Sequence, residues 1–140
     1  MEKELNNNCP STILLLGVIF DPEQRKILIG RREKDPYIKK LTWAFPGGRA
    51  NTKEDLPETL KRKIKEETNL KVENLGTIFA KTYPEKRDFL AIYYLCEKTG
   101  GKEKPFGDLV ELKWVDPEEL EKYFTTSFHP DLKEYVMNLK

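Results

Sequence analysis

The chain predicts an α+β layered sandwich with a mixed β-sheet. Three observations carry that expectation. Several runs rich in Ile, Leu, Val and aromatic residues read as strands. One central segment, Glu54 to Thr68, repeats Leu56, Leu60 and Ile64 at four-residue spacing, which makes one apolar stripe on a helix. A second helical pattern, Pro130 to Leu139, closes the chain. Strands flanked by helices in these different places fit layers of helix on sheet.

Taken in order, residues 1–10 are polar and are expected to be loose. Ile13 to Phe20 reads as a buried strand. The turn Asp21-Pro22-Glu23-Gln24 then leads to a second strand, Lys26 to Arg32, so the two can form a hairpin. Residues 33–42 are a charged loop, and Thr42 to Phe45 is a short extended piece ending at Pro46-Gly47-Gly48. That Pro-Gly-Gly stretch reads as a turn opening the central helix, and Asn69 suits the left-handed conformation that ends helices. Lys71 to Thr82 and Asp88 to Cys96 read as strands around the turn Tyr83-Pro84-Glu85-Lys86-Arg87. Gly100 to Asp108 is a loop and Val110 to Val115 a strand. Asp116 caps a short helix with Pro117 at its first position. Ser127 or His129 precedes the last helix, whose inner face carries Leu132, Tyr135, Val136 and Leu139.

A chain of 140 residues suffices for one domain with a core, and no linker, repeat or low-complexity block divides it. Its 25 basic and 24 acidic residues nearly cancel, which argues against a nucleic-acid partner. The apolar run Ile13 to Phe20 is too short to span a bilayer and lacks a cationic lead, so no membrane association is expected. Cys9 and Cys96 read better as two unrelated thiols in a reducing cytosol than as a disulfide, and a cytoplasmic protein is expected.

The chemistry concentrates between Gly48 and Leu70. Glu66 and Glu67 are adjacent, about 100° apart around a helix, so both can face one ion where a loop meets the helix. Arg62 lies one turn earlier, and its planar guanidinium can hold a carboxylate in one orientation. The glycine pair lets backbone approach closely, so a carbonyl such as that of Gly48 can add a ligand. Carboxylate and carbonyl oxygens suit hard divalent cations, which bring phosphate oxygens with them.

These residues resemble the Nudix hydrolases. That family's box is Gly, five residues, Glu, seven residues, then Arg-Glu-apolar-any-Glu-Glu-any-Gly-apolar. Gly48, Glu54, Arg62, Ile64, Glu66, Glu67 and Leu70 fall on it, while Lys63 replaces the Glu after Arg and Asn69 replaces the Gly. Trp43-Ala44-Phe45-Pro46-Gly47-Gly48 looks like the family's lead-in. Glu111 to Val115, followed by Pro117 and Leu120, looks like its late strand and helix. The resemblance implies an α/β/α sandwich and Mg²⁺-dependent, or Mn²⁺-dependent, cleavage of a nucleoside diphosphate linked to another moiety. ADP-ribose or an ADP-sugar is favoured, because a proline near the position of Pro84 accompanies such substrates in the family. A homodimer is compatible with the resemblance, although no interface is legible in the residues.

Under that resemblance the metal ligands are Gly48, Glu66 and Glu67, with Arg62 orienting a glutamate. A general base is sought at Glu111, Asp108 or Glu85. Arg31, Arg32 and Arg87 are expected to contact the substrate, with Phe45 and Tyr83 stacking on a base or serving the core. Glu54 either favours the helix N-terminus electrostatically or takes part in function. His129 reads as structural, and Cys96 gives little support to an isomerase on the same fold. Lys63 can pair with Glu66 or Glu67, since it lies three and four residues away. An ammonium there leaves three outcomes open: hydrolysis with fewer metals and another base, nucleotide binding without hydrolysis, or a lysine turned to solvent beside a weakened site.

Overall fold

The computed structural model describes residues 11–33, 42–51, 53–83, 86–124 and 130–139. Cys9, Pro84, Glu85, Ser127 and His129 lie outside them. Strands β1 (Thr12–Asp21), β2 (Lys26–Arg32), β3 (Trp43–Ala44) and β4 (Gly47–Arg49) precede helix α1 (Leu56–Thr68). Strands β5 (Lys71–Tyr83), β6 (Lys86–Gly100) and β7 (Leu109–Val115) follow, then a 3₁₀ helix (Pro117–Tyr123) and α2 (Pro130–Met137). All seven strands join one sheet, whose main path runs β3-β2-β1-β6-β5, with β4 on β1 and β7 on β2. β1 and β6 pair in parallel and the other pairs are antiparallel, so the sheet is mixed as expected.

The sheet is covered on both faces because its strands alternate apolar side chains to each side. On β2, Leu28 faces α1 and packs with Leu15, Leu60, Ile64 and Leu70. Its neighbours Ile27 and Ile29 face the other way, into a core with Phe45, Tyr93, Leu120, Leu132 and Val136 under the 3₁₀ helix and α2. This is the α/β/α arrangement. The expected stripe holds: Leu60 and Ile64 are fully buried, and Ile64 sits so close to β1 that a Cβ on Gly17 would stand 2.8 Å from its Cδ1.

Two expectations near the site are corrected. Pro46-Gly47-Gly48 is not a turn opening the helix, because Gly47 to Arg49 pair with Leu16 to Leu14 of β1. Gly47 has φ 153, and a Cβ there would land on the Leu15 carbonyl oxygen, so only glycine lets β4 lie this close. The helix then begins at Leu56, not Glu54. Asp55 is the extended residue before it, Pro57 sits in its first turn, and Glu54 belongs to a turn in which Asn51 Oδ1 accepts from the Lys53 N–H.

Two further expectations are corrected and a third holds. The β5–β6 hairpin is longer than expected, so Arg87 lies in β6 and not in a turn. Asp116 does occupy the position before the 3₁₀ helix, yet its side chain makes no capping hydrogen bond. Asn69 ends α1 at φ 65, as expected, and the chain after β6 folds back over that end. The Lys104 N–H donates to the Thr68 carbonyl, the Phe106 N–H to the Glu67 carbonyl and the Asn69 side-chain amide to the Lys102 carbonyl.

Candidate active site

α1 leaves β4 by a short turn and then crosses back over it, so its outer carboxylates stand beside the glycine strand. Arg62 organises one side. Its Nη2 and Nε donate to Glu54 at 2.7 and 3.0 Å, and its Nη1 donates to Glu66 at 3.0 Å. One guanidinium thus joins a residue ahead of the helix to one a turn further on. The hydrogen bonds from Arg62 hold the Glu54 carboxyl below its usual range, although burial opposes them, with the charges of Arg62 and Lys63 adding to the fall. Arg62 itself is held firmly charged by Glu54 and Glu66.

Glu67 turns the other way, inward. Its side chain is 13% exposed; Oε1 accepts from the Gly47 N–H at 2.9 Å and Oε2 from Arg32 Nη2 at 3.4 Å. Burial pushes its carboxyl above the usual range, against the pull of the Gly47 N–H, Arg32 and Lys63, and Asp108 adds to the rise. Arg32, equally buried, reaches the Asp108 carboxylate at 3.5 Å with its other nitrogen. The row Glu67, Arg32, Asp108 therefore ties α1, β2 and the start of β7 together. Lys63 lies across β4, its Cδ and Cε 3.2 and 3.3 Å from where a Cβ on Gly48 would stand.

The remaining candidates divide between the two faces of the sheet. Arg31 and Arg32 are neighbours on a strand, so only Arg32 faces α1. Arg31 lies opposite Trp43 and Glu111, and its Nε donates to Glu111 at 2.8 Å. Trp43 and Lys113 meet Tyr123 of the 3₁₀ helix, which marks that face as the one away from α1. The sheet thus does not bring Glu111 together with Glu66 and Glu67, whereas Asp108 is linked to Glu67 through Arg32. Phe45 is 4% exposed against Tyr93 and Phe124, which makes it a core ring with no open face for a base. Arg87 is exposed at the start of β6, and Tyr83 closes β5 opposite Lys86. Cys96 is a buried free thiol pushed up to about 12 by burial, which suits packing and not nucleophilic chemistry. The Gly47 N–H and Arg32 as partners of Glu67 were not legible in the spacing, since they lie 20 and 35 residues away on other elements.

This geometry is that of a carboxylate-bearing helix set against a glycine strand, and residues 14–138 match the NUDIX domain family. The chain belongs to the Nudix family. Its relatives include an 8-oxo-dGTP diphosphatase of Buchnera aphidicola, 31% identical over 113 residues that make up 81% of this chain and 82% of that one. An ADP-ribose pyrophosphatase of Methanocaldococcus jannaschii is 31% identical over 71% of this chain and 60% of its own length. Among solved structures, a NUDIX hydrolase of Nitrosomonas europaea superposes with a TM-score of 0.75 at 20% identity, over 94% of this chain and 72% of that chain. An ADP-ribose pyrophosphatase of Streptococcus suis reaches 0.69 at 19% identity, over 91% of this chain and 90% of its own. The Nudix fold and a hydrolase activity follow from this membership.

Nudix hydrolases use divalent ions, so the donor set can be tested for one. Among the described residues no three His, Cys, Asp or Glu side chains converge into a ready-made cage. Mg²⁺ does not need one: it keeps several waters and is bound by one or two carboxylates together with substrate phosphates. Glu66, exposed at the helix surface, and Glu67, beside the Gly47–Gly48 backbone, carry oxygens of the type such an ion takes, so the chemistry of the donor set suits it.

Proposed function

We propose that this Nudix hydrolase cleaves the pyrophosphate bond of a nucleoside diphosphate linked to another moiety, with ADP-ribose or an ADP-sugar favoured. The observation that carries the reading is the pair of anchored carboxylates: Glu66 tied through Arg62 to Glu54, and Glu67 tied to the Gly47 N–H and Arg32. Glu66 and Glu67 would hold one Mg²⁺ or Mn²⁺, which when bound neutralises phosphate charge and polarises the bond to be broken. Arg62 keeps Glu54 and Glu66 in one orientation. Asp108 is favoured over Glu111 to take the proton of the attacking water. Its exposed carboxylate is linked through Arg32 to Glu67, while Glu111 is engaged by Arg31 on the opposite face. Arg87, exposed at the start of β6, is the candidate for the distal part of the substrate, while Arg31 is engaged by Glu111 on the opposite face. The relative named ADP-ribose pyrophosphatase supports the substrate class, and the relative named 8-oxo-dGTP diphosphatase supports a nucleoside triphosphate as the runner-up.

A cytoplasmic location is proposed with it, on the reading of Cys9 and Cys96 as two unrelated thiols in a reducing compartment. The test is phosphate or nucleotide release from ADP-ribose, ADP-glucose and 8-oxo-dGTP with Mg²⁺ or Mn²⁺. ADP-ribose turnover that falls at least about a hundredfold in Glu67→Gln is expected. No turnover of any of the three rejects the hydrolase reading in favour of a nucleotide-binding domain silenced by Lys63.

A further inference from the structure

Lys63 is the cation of this site that the carboxylates do not consume. Among the described residues both arginines are committed to ion pairs, Arg62 with Glu54 and Glu66, and Arg32 with Glu67 and Asp108. Lys63 is not part of any such pair there. Its stem instead lies flat over Gly48, where the missing side chain leaves room for it. Its charge is felt at both Glu54, ahead of the helix, and Glu67, near its end. The four carboxylates Glu54, Glu66, Glu67 and Asp108 set against the two arginines leave two negative charges, the charge of one divalent ion. Lys63 cancels one of them; a glutamate in its place would add a third.

We infer that Lys63 is a resident cation of the pyrophosphate site, its ammonium taking a phosphate oxygen of the ligand directly. The inference rests on the pyrophosphate reading above. An ammonium is a compact point charge with three donors and binds phosphate without a fork to align. A half-exposed lysine on a flexible stem can lift from Gly48 to meet the ligand. Ligand binding then goes forward without a divalent ion, and the ion is needed for hydrolysis alone.

The test is calorimetry of inorganic pyrophosphate with the full chain in EDTA, repeated with Mg²⁺. Wild type is expected to bind in EDTA, Lys63→Met to bind at least tenfold more weakly, and Lys63→Arg to keep most of the affinity. Lys63→Glu is expected to bind only with Mg²⁺ present and, without ligand, to take up Mn²⁺ at least tenfold more tightly than wild type by electron paramagnetic resonance. Wild-type binding that disappears in EDTA overturns the inference, whatever the variants do. So does a Lys63→Met protein that binds as wild type does. Turnover with no binding in EDTA rejects this role and leaves the hydrolase reading intact; binding in EDTA with no turnover under Mg²⁺ does the reverse.

Discussion

Arg62 serves two carboxylates at once, and this makes it the residue whose loss disturbs the site most without removing a ligand. The bond to Glu54 is the shorter, at 2.7 Å, and reaches back across the loop from β4; the bond to Glu66 is a one-turn helix pair. With alanine at 62, Glu54 and Glu66 repel each other and Lys63 is the cation left beside Glu54. Arg62→Ala is expected to lower kcat by about 10- to 100-fold, the usual effect of removing a group that orients metal-ligating carboxylates. Steady-state kinetics check this, with KM moving by less than kcat; a loss below about threefold in kcat would show that Glu66 keeps its orientation unaided. Arg32 shows how little of this was readable in advance. Neighbouring arginines look equivalent in a chain, yet alternation sends Arg31 to Glu111 and Arg32 to Glu67. The choice rests on which face of β2 receives α1.

Helix α1 places these side chains, and it is held at both ends and along one stripe. Leu60 and Ile64 fill the space between the helix and the sheet, and Gly17 of β1 admits Ile64. Removing Leu60 leaves a cavity in a dry contact. Leu60→Ala is expected to cost about 2–5 kcal/mol, read from urea unfolding at unchanged slope. Its activity per folded molecule should fall too, since the same stripe sets the height of Glu67 over β4. The helix itself was evident from its four-residue repeat and from Asn69. Its start was not, because the Gly-Gly pair that resembles a turn is a strand edge once β1 is beside it. A glycine at φ 153 suits either role, and only the partner strand discriminates. The same holds for the loop 101–108: its composition says loop, and its hydrogen bonds to Glu67, Thr68 and Asn69 make it the clamp on the helix end.

The sheet as a whole is tied at the β1–β2 turn by Asp21. Its buried carboxylate accepts from the Glu23 N–H at 2.9 Å and the Gln24 side chain at 2.7 Å, with Lys98 of β6 at 3.9 Å. Burial pushes its carboxyl upward, but the hydrogen bonds and Lys98 outweigh that and hold it below the ordinary 3.8. A folded value below the unfolded one means that the stabilisation is complete above 3.8 and drains as pH falls through the folded value. Glu67 has the opposite sign: the stability linked to its raised value is complete below 4.5 and drains as pH rises through the folded value. Comparison of wild type with Asp21→Asn isolates the first effect. Wild type should be the more stable at about pH 6, and the gap should close on acidification to about pH 2, as urea midpoints will show. A gap that is constant with pH would mean that packing, and not charge, carries the role. Chain order and side-chain spacing were enough to establish most of the strands, the apolar stripe, the end of α1 and the family box, because each is written in residue types and spacings along the chain itself. The partner of Glu67, the separation of Glu111 from the helix and the place of Lys63 over Gly48 needed the folded sheet. They depend on register and on which face each strand presents, and a one-residue shift at the bulge between Arg31 and Arg32 is enough to change both.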